Sequence, residues 1–115
     1  MKLSEQTAKP IQKGTAPLSQ KEAEELAQEI PLWSLGRGAI EREFRCRDFR
    51  EAMEFVNRVA ALANEQDHHP DIFISYSKVR LTLSTHKVGG LTLNDFVVAA
   101  KIDFLADQQR VGKAA

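Results

Sequence analysis

The run from Val79 to Thr85 constrains the fold more than any other stretch. Val79, Leu81 and Leu83 fall on one side of an extended chain, and Arg80, Thr82 and Ser84 on the other. Successive side chains of a strand point to opposite faces, so this alternation predicts a strand with one buried face and one wet face. Ile72-Phe73-Ile74-Ser75-Tyr76 comes just before it, separated only by Ser77-Lys78. Two such runs joined so tightly predict an antiparallel hairpin. A sheet with one apolar face must lay it against something, and the rest of the chain has to supply the cover.

Helical spacing supplies it three times. Ser19-x-x-Glu22 is a capping box, in which each side chain can satisfy a free backbone N–H at a helix start. Ala23, Leu26, Ala27 and Ile30 then recur at helical intervals until Pro31 stops the run. Asp48 is placed to cap a second helix, with Glu51 in the box position. Phe49, Ala52, Met53, Val56, Val59, Ala60 and Ala63 form its apolar stripe to about Gln66. Phe55 and Leu62 lie beside that stripe. They serve either core packing or, as a spare flank, contact with another subunit. Thr92 caps a third helix, with Asp95 three residues on. There Leu93, Phe96, Val97, Ala100 and Phe104 give one stripe, and Val98, Ile102 and Leu105 a second. Between the first two helices, Leu32, Trp33 and Leu35 predict a short strand and Gly36-Arg37-Gly38 a turn. Ile40 to Cys46 then alternates, with Arg42 interrupting its apolar side. The expected fold is α+β: a four-stranded antiparallel sheet with three helices packed on one face, in the order α-β-β-α-β-β-α.

The chain of 115 residues is one domain by size and long enough for a core without staples. Residues 1–17 are polar, contain Pro10, Gly14 and Pro17, and show no apolar period, so a loose tail is expected ahead of a domain at 18–110, with fraying over 111–115. Lysine plus arginine equals aspartate plus glutamate, 16 against 16, so the chain lacks the basic footprint of a nucleic-acid binder. Cys46 is the only cysteine, so no internal disulfide forms, which fits a reducing cytoplasm. It falls on the apolar side of its strand, where a reactive role is not expected. No apolar run reaches membrane-spanning length, and a cytoplasmic location is the expectation.

Two of the three histidines stand together in Asp67-His68-His69-Pro70-Asp71, and the third is His86. Imidazole exchanges protons near neutral pH without special tuning. Three imidazoles around one pocket suit general acid–base work, and they would also suit a metal. Adjacent extended residues point apart, however, and no i, i+4 histidine pair or second cysteine is present, so no metal site is expected. Taken one at a time, Asp95 reads as a helix cap, Asp67 and Asp71 as turn residues and Tyr76 as sheet packing. Ser84 and the other serines lack a nucleophile-elbow setting.

Their joint order is more specific. His-His-Pro, then Tyr76, then His86 followed by Gly89-Gly90-Leu91-Thr92 and Asp95, resembles the pterin-4a-carbinolamine dehydratase family. The resemblance extends back through Ile30-Pro31-x-Trp33 and the run Phe44, Asp48-Phe49, Ala52, Phe55-Val56, and covers residues 18–107. It implies dehydration of 4a-hydroxytetrahydropterin to quinonoid dihydropterin and water, recycling the pterin of aromatic amino-acid hydroxylases with no metal or organic cofactor. It implies catalytic roles for His68, His86, His69 and Asp95. His68 and His86 would flank the 4a position, His69 would orient the pterin, and Asp95 would hold an imidazole in its tautomer. It implies further substrate contacts from Asp67, Pro70, Tyr76, Ser84 and Thr85. In one respect the chain departs from the pattern. Asn64 occupies a position that is commonly ionisable, and Glu65, about 100° further round a helix, is not expected in the site. The resemblance also implies a homodimer or homotetramer. Its alternative is a non-catalytic dimerisation or transcriptional co-regulator module, since members pair with a transcription factor in animals.

Overall fold

The computed structural model describes residues 2–112. Helix α1 spans Gln20–Ala27, followed by strands β1 (Ser34–Leu35) and β2 (Ile40–Arg45) and helix α2 (Phe49–Gln66). Strands β3 (Asp71–Ser75) and β4 (Lys78–Leu83) then lead to helix α3 (Leu93–Gln109). The strands form one antiparallel sheet in the order β1-β2-β4-β3, with the three helices on one face. This is the expected α+β arrangement in the expected element order.

The alternation that predicted the sheet sets its register. Ile40 pairs with Leu83, Arg42 with Leu81 and Phe44 with Val79, so one face of β2 and β4 is apolar apart from Arg42. Val79, Leu81 and Leu83 are fully buried. Phe44 sits between two rings, edge-on to Trp33 at 6.2 Å between centroids and tilted against Phe55 at 4.8 Å. Phe55 is therefore core within a single chain and is not available as a spare flank. The residue at the start of α2 behaves in the opposite way: Phe49, expected in the stripe, is half exposed and stacks with Tyr76. Leu32 is likewise exposed, since the first strand is only Ser34–Leu35, though Trp33 beside it is buried.

The capping signals define two helix starts closely. The Glu22 N–H donates to Ser19 Oγ at 3.1 Å, and the Ser19 N–H donates back to Glu22 Oε1 at 2.9 Å. At α2 the Glu51 N–H donates to Asp48 Oδ1 at 2.8 Å. The Glu51 carboxylate reaches back one residue further than a capping box would, accepting from the Arg47 backbone N–H at 2.9 Å and from Arg47 Nε at 2.7 Å.

Arg42, the interruption in the apolar side of β2, is resolved by Asp103 of α3. One Asp103 oxygen accepts from Arg42 at 2.6 Å and from the Trp33 indole N–H at 2.8 Å. The Arg42 guanidinium also lies 4.2 Å from the Phe44 ring centre. Burial pushes the Asp103 carboxyl above its ordinary value, and the Trp33 and Arg42 hydrogen bonds oppose that push.

Residues 2–17, expected as a loose tail, make defined contacts with the rest of the chain. Leu3–Glu5 forms a short 3-10 turn packed on α3, with Leu3 buried in the core. Lys101 Nζ donates to the Ser4 carbonyl at 2.9 Å. At the far end of the segment the Leu18 N–H donates to the Leu91 carbonyl at 2.8 Å. A missing apolar period says nothing about contacts made through backbone groups and one anchoring leucine. At the other terminus Val111 is buried and its N–H donates to the Ala106 carbonyl, so fraying does not begin at 111; residues 113–115 lie outside the described residues. No helix among the described residues is long and apolar enough to cross a membrane.

Two outcomes follow. Asp103→Ala strands the half-buried Arg42 charge and the Trp33 N–H together, and is expected to cost about 2 kcal/mol in urea unfolding; a loss too small to measure would show that the contact contributes no stability. Burial pushes the Cys46 thiol from 9.0 up to about 11, with Glu51 and Asp48 adding to the effect. Its thiolate fraction at pH 8, and so its alkylation by iodoacetamide, should be about a hundredfold below that of an ordinary thiol. Alkylation at the ordinary rate would contradict that placement.

Candidate active site

The end of α2 aims the first two histidines. Asp67 adopts the left-handed conformation at φ 50°, which ends the helix. The His68 N–H then donates to the Ala63 carbonyl at 3.1 Å and the Asp67 N–H to the Asn64 carbonyl at 3.3 Å. Together these bonds close a Schellman turn, and aspartate is one of the few non-glycine residues that enters this region readily. The chain leaves the turn into β3 with its direction fixed by backbone bonds.

His68 meets Asp95 across the molecule. The two side chains touch at 2.5 Å between Nε2 and Oδ1. Asp95 is fully buried in the first turn of α3, while His68 keeps 11% of its side chain exposed. The other carboxylate oxygen accepts from Thr85 Oγ1 at 2.8 Å and from the Thr92 backbone N–H at 2.9 Å. Thr85 and Thr92 also share a hydroxyl contact at 2.9 Å. A buried carboxylate is costly unless its lone pairs are filled, and here both oxygens are. As Asp95 accepts on every side, His68 supplies the proton at Nε2, leaving Nδ1 as its free acceptor.

His86 arrives from β4 on a different device. It opens a 3-10 turn, His86–Val88, closed by the Val88 N–H to Thr85 and the Gly89 N–H to His86. Gly89, at φ 70°, reverses the chain, and Thr85 and Gly90 then pair. The His86 ring is exposed and has no hydrogen-bond partner among the described residues. His69 is exposed too, and donates from Nε2 to Asn64 Oδ1 at 3.0 Å. Since the partner is an amide, it orients the ring without adding charge.

A cavity of about 540 Å³ gathers these groups. His68, His69 and His86 all line it, with Asp67, Ser84 and Thr85. Its size falls within the range usual for small-molecule sites. Asp95 lies behind His68 and does not line the opening. Two expected contacts are not brought in. Tyr76 sits in the β3–β4 turn at φ 53°, exposed and stacked with Phe49, and Pro70 is absent from the lining. Ser84 and Thr85 do line the cavity, but their hydroxyls are committed, Ser84 to the Gly38 carbonyl at 2.7 Å and Thr85 to Asp95 and Thr92.

Glu65, expected outside, lines the cavity. The left-handed turn at Asp67 folds the cavity around the helix end, so a residue off the main face still borders it. Gln66, Lys87 and Asn94 also line it, as do residues 8–11. Each of the first three is one position from an already suspected residue, and that adjacency was the only signal for them. Among the described residues no three His, Cys, Asp or Glu side chains gather closely enough to hold a metal ion.

Residues 16–105 match the family model described as pterin 4 alpha carbinolamine dehydratase. A protein of Halorhodospira halophila is 44% identical over 107 residues, covering 91% of this chain and 98% of its own. One of Rubrobacter xylanophilus is 47% identical over 104 residues, covering 90% and 97%. Both carry the provisional name pterin-4-alpha-carbinolamine dehydratase. Among solved structures, a transcriptional coactivator/pterin dehydratase from Brucella melitensis superposes with a TM-score of 0.74 at 36% identity, covering 78% of this chain and 98% of its own. A pterin dehydratase-like protein identified as a RuBisCO assembly factor in the alpha-carboxysome superposes at 0.56 with 25% identity, covering 64% and 88%. The chain belongs to the pterin-4-alpha-carbinolamine dehydratase family.

Proposed function

We propose that this protein dehydrates 4a-hydroxytetrahydropterin to quinonoid dihydropterin, recycling the pterin used by aromatic amino-acid hydroxylases. The observation that carries the reading is the buried Asp95 carboxylate holding His68 at 2.5 Å beside a cavity that His86 also lines. The reaction breaks the C4a–O bond, whose electrons leave with the hydroxyl as water. An acid must protonate that oxygen, and a base must take the proton from a ring N–H. His68, with Nε2–H turned to Asp95, has Nδ1 free and suits the base; a carboxylate behind it stabilises the imidazolium that forms. His86 lines the cavity with its ring exposed and uncommitted to an internal hydrogen bond, and suits the acid. His69, oriented by Asn64, binds and orients the ring. Thr85 acts through Asp95 as a positioning residue.

A second reading is supported by the surface. β3 is an edge strand, and Ile72, Phe73, Tyr76 and Phe49 around it are substantially exposed. Unpaired strand edges with apolar side chains favour association, so a homodimer or homotetramer is proposed, with a non-catalytic interaction module as the alternative function.

Stopped-flow kinetics with 4a-hydroxytetrahydropterin decide between them. His68→Ala and His86→Ala should each slow dehydration by about 10² to 10⁴, the usual contribution of one placed acid or base, with the thermal melt preserved. Asp95→Asn should lower kcat more than it raises KM. No acceleration over buffer by the unaltered protein would leave only the interaction module, and full rates in both histidine variants would take His68 and His86 out of the chemistry.

A further inference from the structure

Most of the residues around the cavity beside the histidines are polar or charged types. Among the described residues its apolar side chains are Ala8, Pro10 and Ile11, and all three belong to one N-terminal segment. That segment is held at several points. The Ala8 N–H donates to Gln66 Oε1 at 2.8 Å. Lys9 pairs with Asn94 in both directions: its N–H donates to Oδ1 at 2.9 Å and its carbonyl accepts from Nδ2 at 2.6 Å. Lys87 Nζ donates to the Ile11 carbonyl at 2.9 Å. Gln66 and Asn94 are both buried. The three clamping residues come from α2, the 3-10 turn and α3, and stand one or two positions from His68, His86 and Asp95. Leu3 anchors the segment upstream, and Pro17 packs on Gly90 downstream. All of residues 8–11 lie outside the family match at 16–105.

A pterin is a flat heterocycle with polar edges and two apolar faces. A site needs polar groups for the edges and at least one apolar surface for a face. Histidines, Asp67 and Glu65 suit the edges. We infer that Pro10 and Ile11 form the apolar wall against which the pterin ring rests, so that the N-terminal segment is part of the substrate site. This rests on the dehydratase reading for the identity of the ligand. The wall touches no reacting atom, so it contributes uniform binding and acts on KM rather than kcat.

The test is the double variant Pro10→Ser/Ile11→Ser in the full chain, beside Asn94→Ala, which removes both Lys9 clamps. Turnover is followed with 4a-hydroxytetrahydropterin, and binding of non-reacting 7,8-dihydropterin is followed by fluorescence titration. KM and the dihydropterin Kd should both rise about five- to twentyfold, as expected for taking two aliphatic side chains from a ring face, with kcat within about twofold. Ile11→Val should restore most of the affinity if the wall is apolar contact and not fold. Unchanged Kd in the double variant, a fall in kcat alone, or no dihydropterin binding by the unaltered protein would overturn the wall. Tight binding without turnover, weakened by the double variant, would keep the wall and reject the dehydratase reading.

Discussion

The buried Asp95 carboxylate is the point on which both fold and site depend. An ionised group out of water is tolerated only when donors replace the water it lost. Its donors come from three places far apart in sequence: the backbone at the start of α3, the end of β4 through Thr85, and the residue just past α2 through His68. The helix N-terminus adds a favourable field for a negative charge in its first turn. No one of these segments can move without leaving that charge short of a partner. The requirement that makes Asp95 a good structural lock is the same one that orients the His68 ring, so that orientation costs the fold nothing separate.

Most of the architecture was legible because it rests on periodicity. Val79, Leu81 and Leu83 are buried as alternation requires, and Ser19 and Asp48 cap where their spacing says. Arg42 looked like a flaw in that pattern, because its partner Asp103 lies 61 residues away on a helix whose facing could not be read from β2. Phe49 and Tyr76 show a different limit. Each has a residue type suited to packing, yet they satisfy one another at the surface, and the left-handed φ of Tyr76 takes it out of the strand that would have carried it towards the site. The histidines were found by their clustering. Their neighbours Gln66, Lys87 and Asn94 were not, since one glutamine, one lysine and one asparagine carry no pattern until something is seen to lie against them.

Asn64 and Glu65 show how local backbone geometry redistributes roles. Asn64, where the resemblance led one to expect an ionisable residue, is neutral and orients His69 by a hydrogen bond. The carboxylate beside it, a full 100° round an ideal helix, nevertheless borders the cavity because the helix ends one residue later, at Gln66. A helical-wheel argument holds only while the helix continues. Past the left-handed turn at Asp67 the cavity borders the end of α2, so Glu65 and Gln66 both line it. Charge is therefore present near His69, displaced from the ring and not in contact with it.

The N-terminal segment and the His86 loop are tied together by Gly90. A Cβ at that position would fall 2.8 Å from Pro17 Cβ, closer than two carbons can approach, so only glycine lets residue 17 pass. The same Gly90 pairs with Thr85 and closes the turn that presents His86. Gly90 thus serves two ends: its backbone pairs with Thr85 after the reversal at Gly89, and its missing side chain seats the strap whose upstream part borders the cavity. The double glycine was expected as a loop for its conformational freedom. Its second residue has an ordinary φ, and what it contributes is space. The segment seated against the loop that carries His86 is held by Gln66, Lys87 and Asn94, each one or two positions from His68, His86 or Asp95, so its place at the cavity edge is set by the elements that carry those three residues.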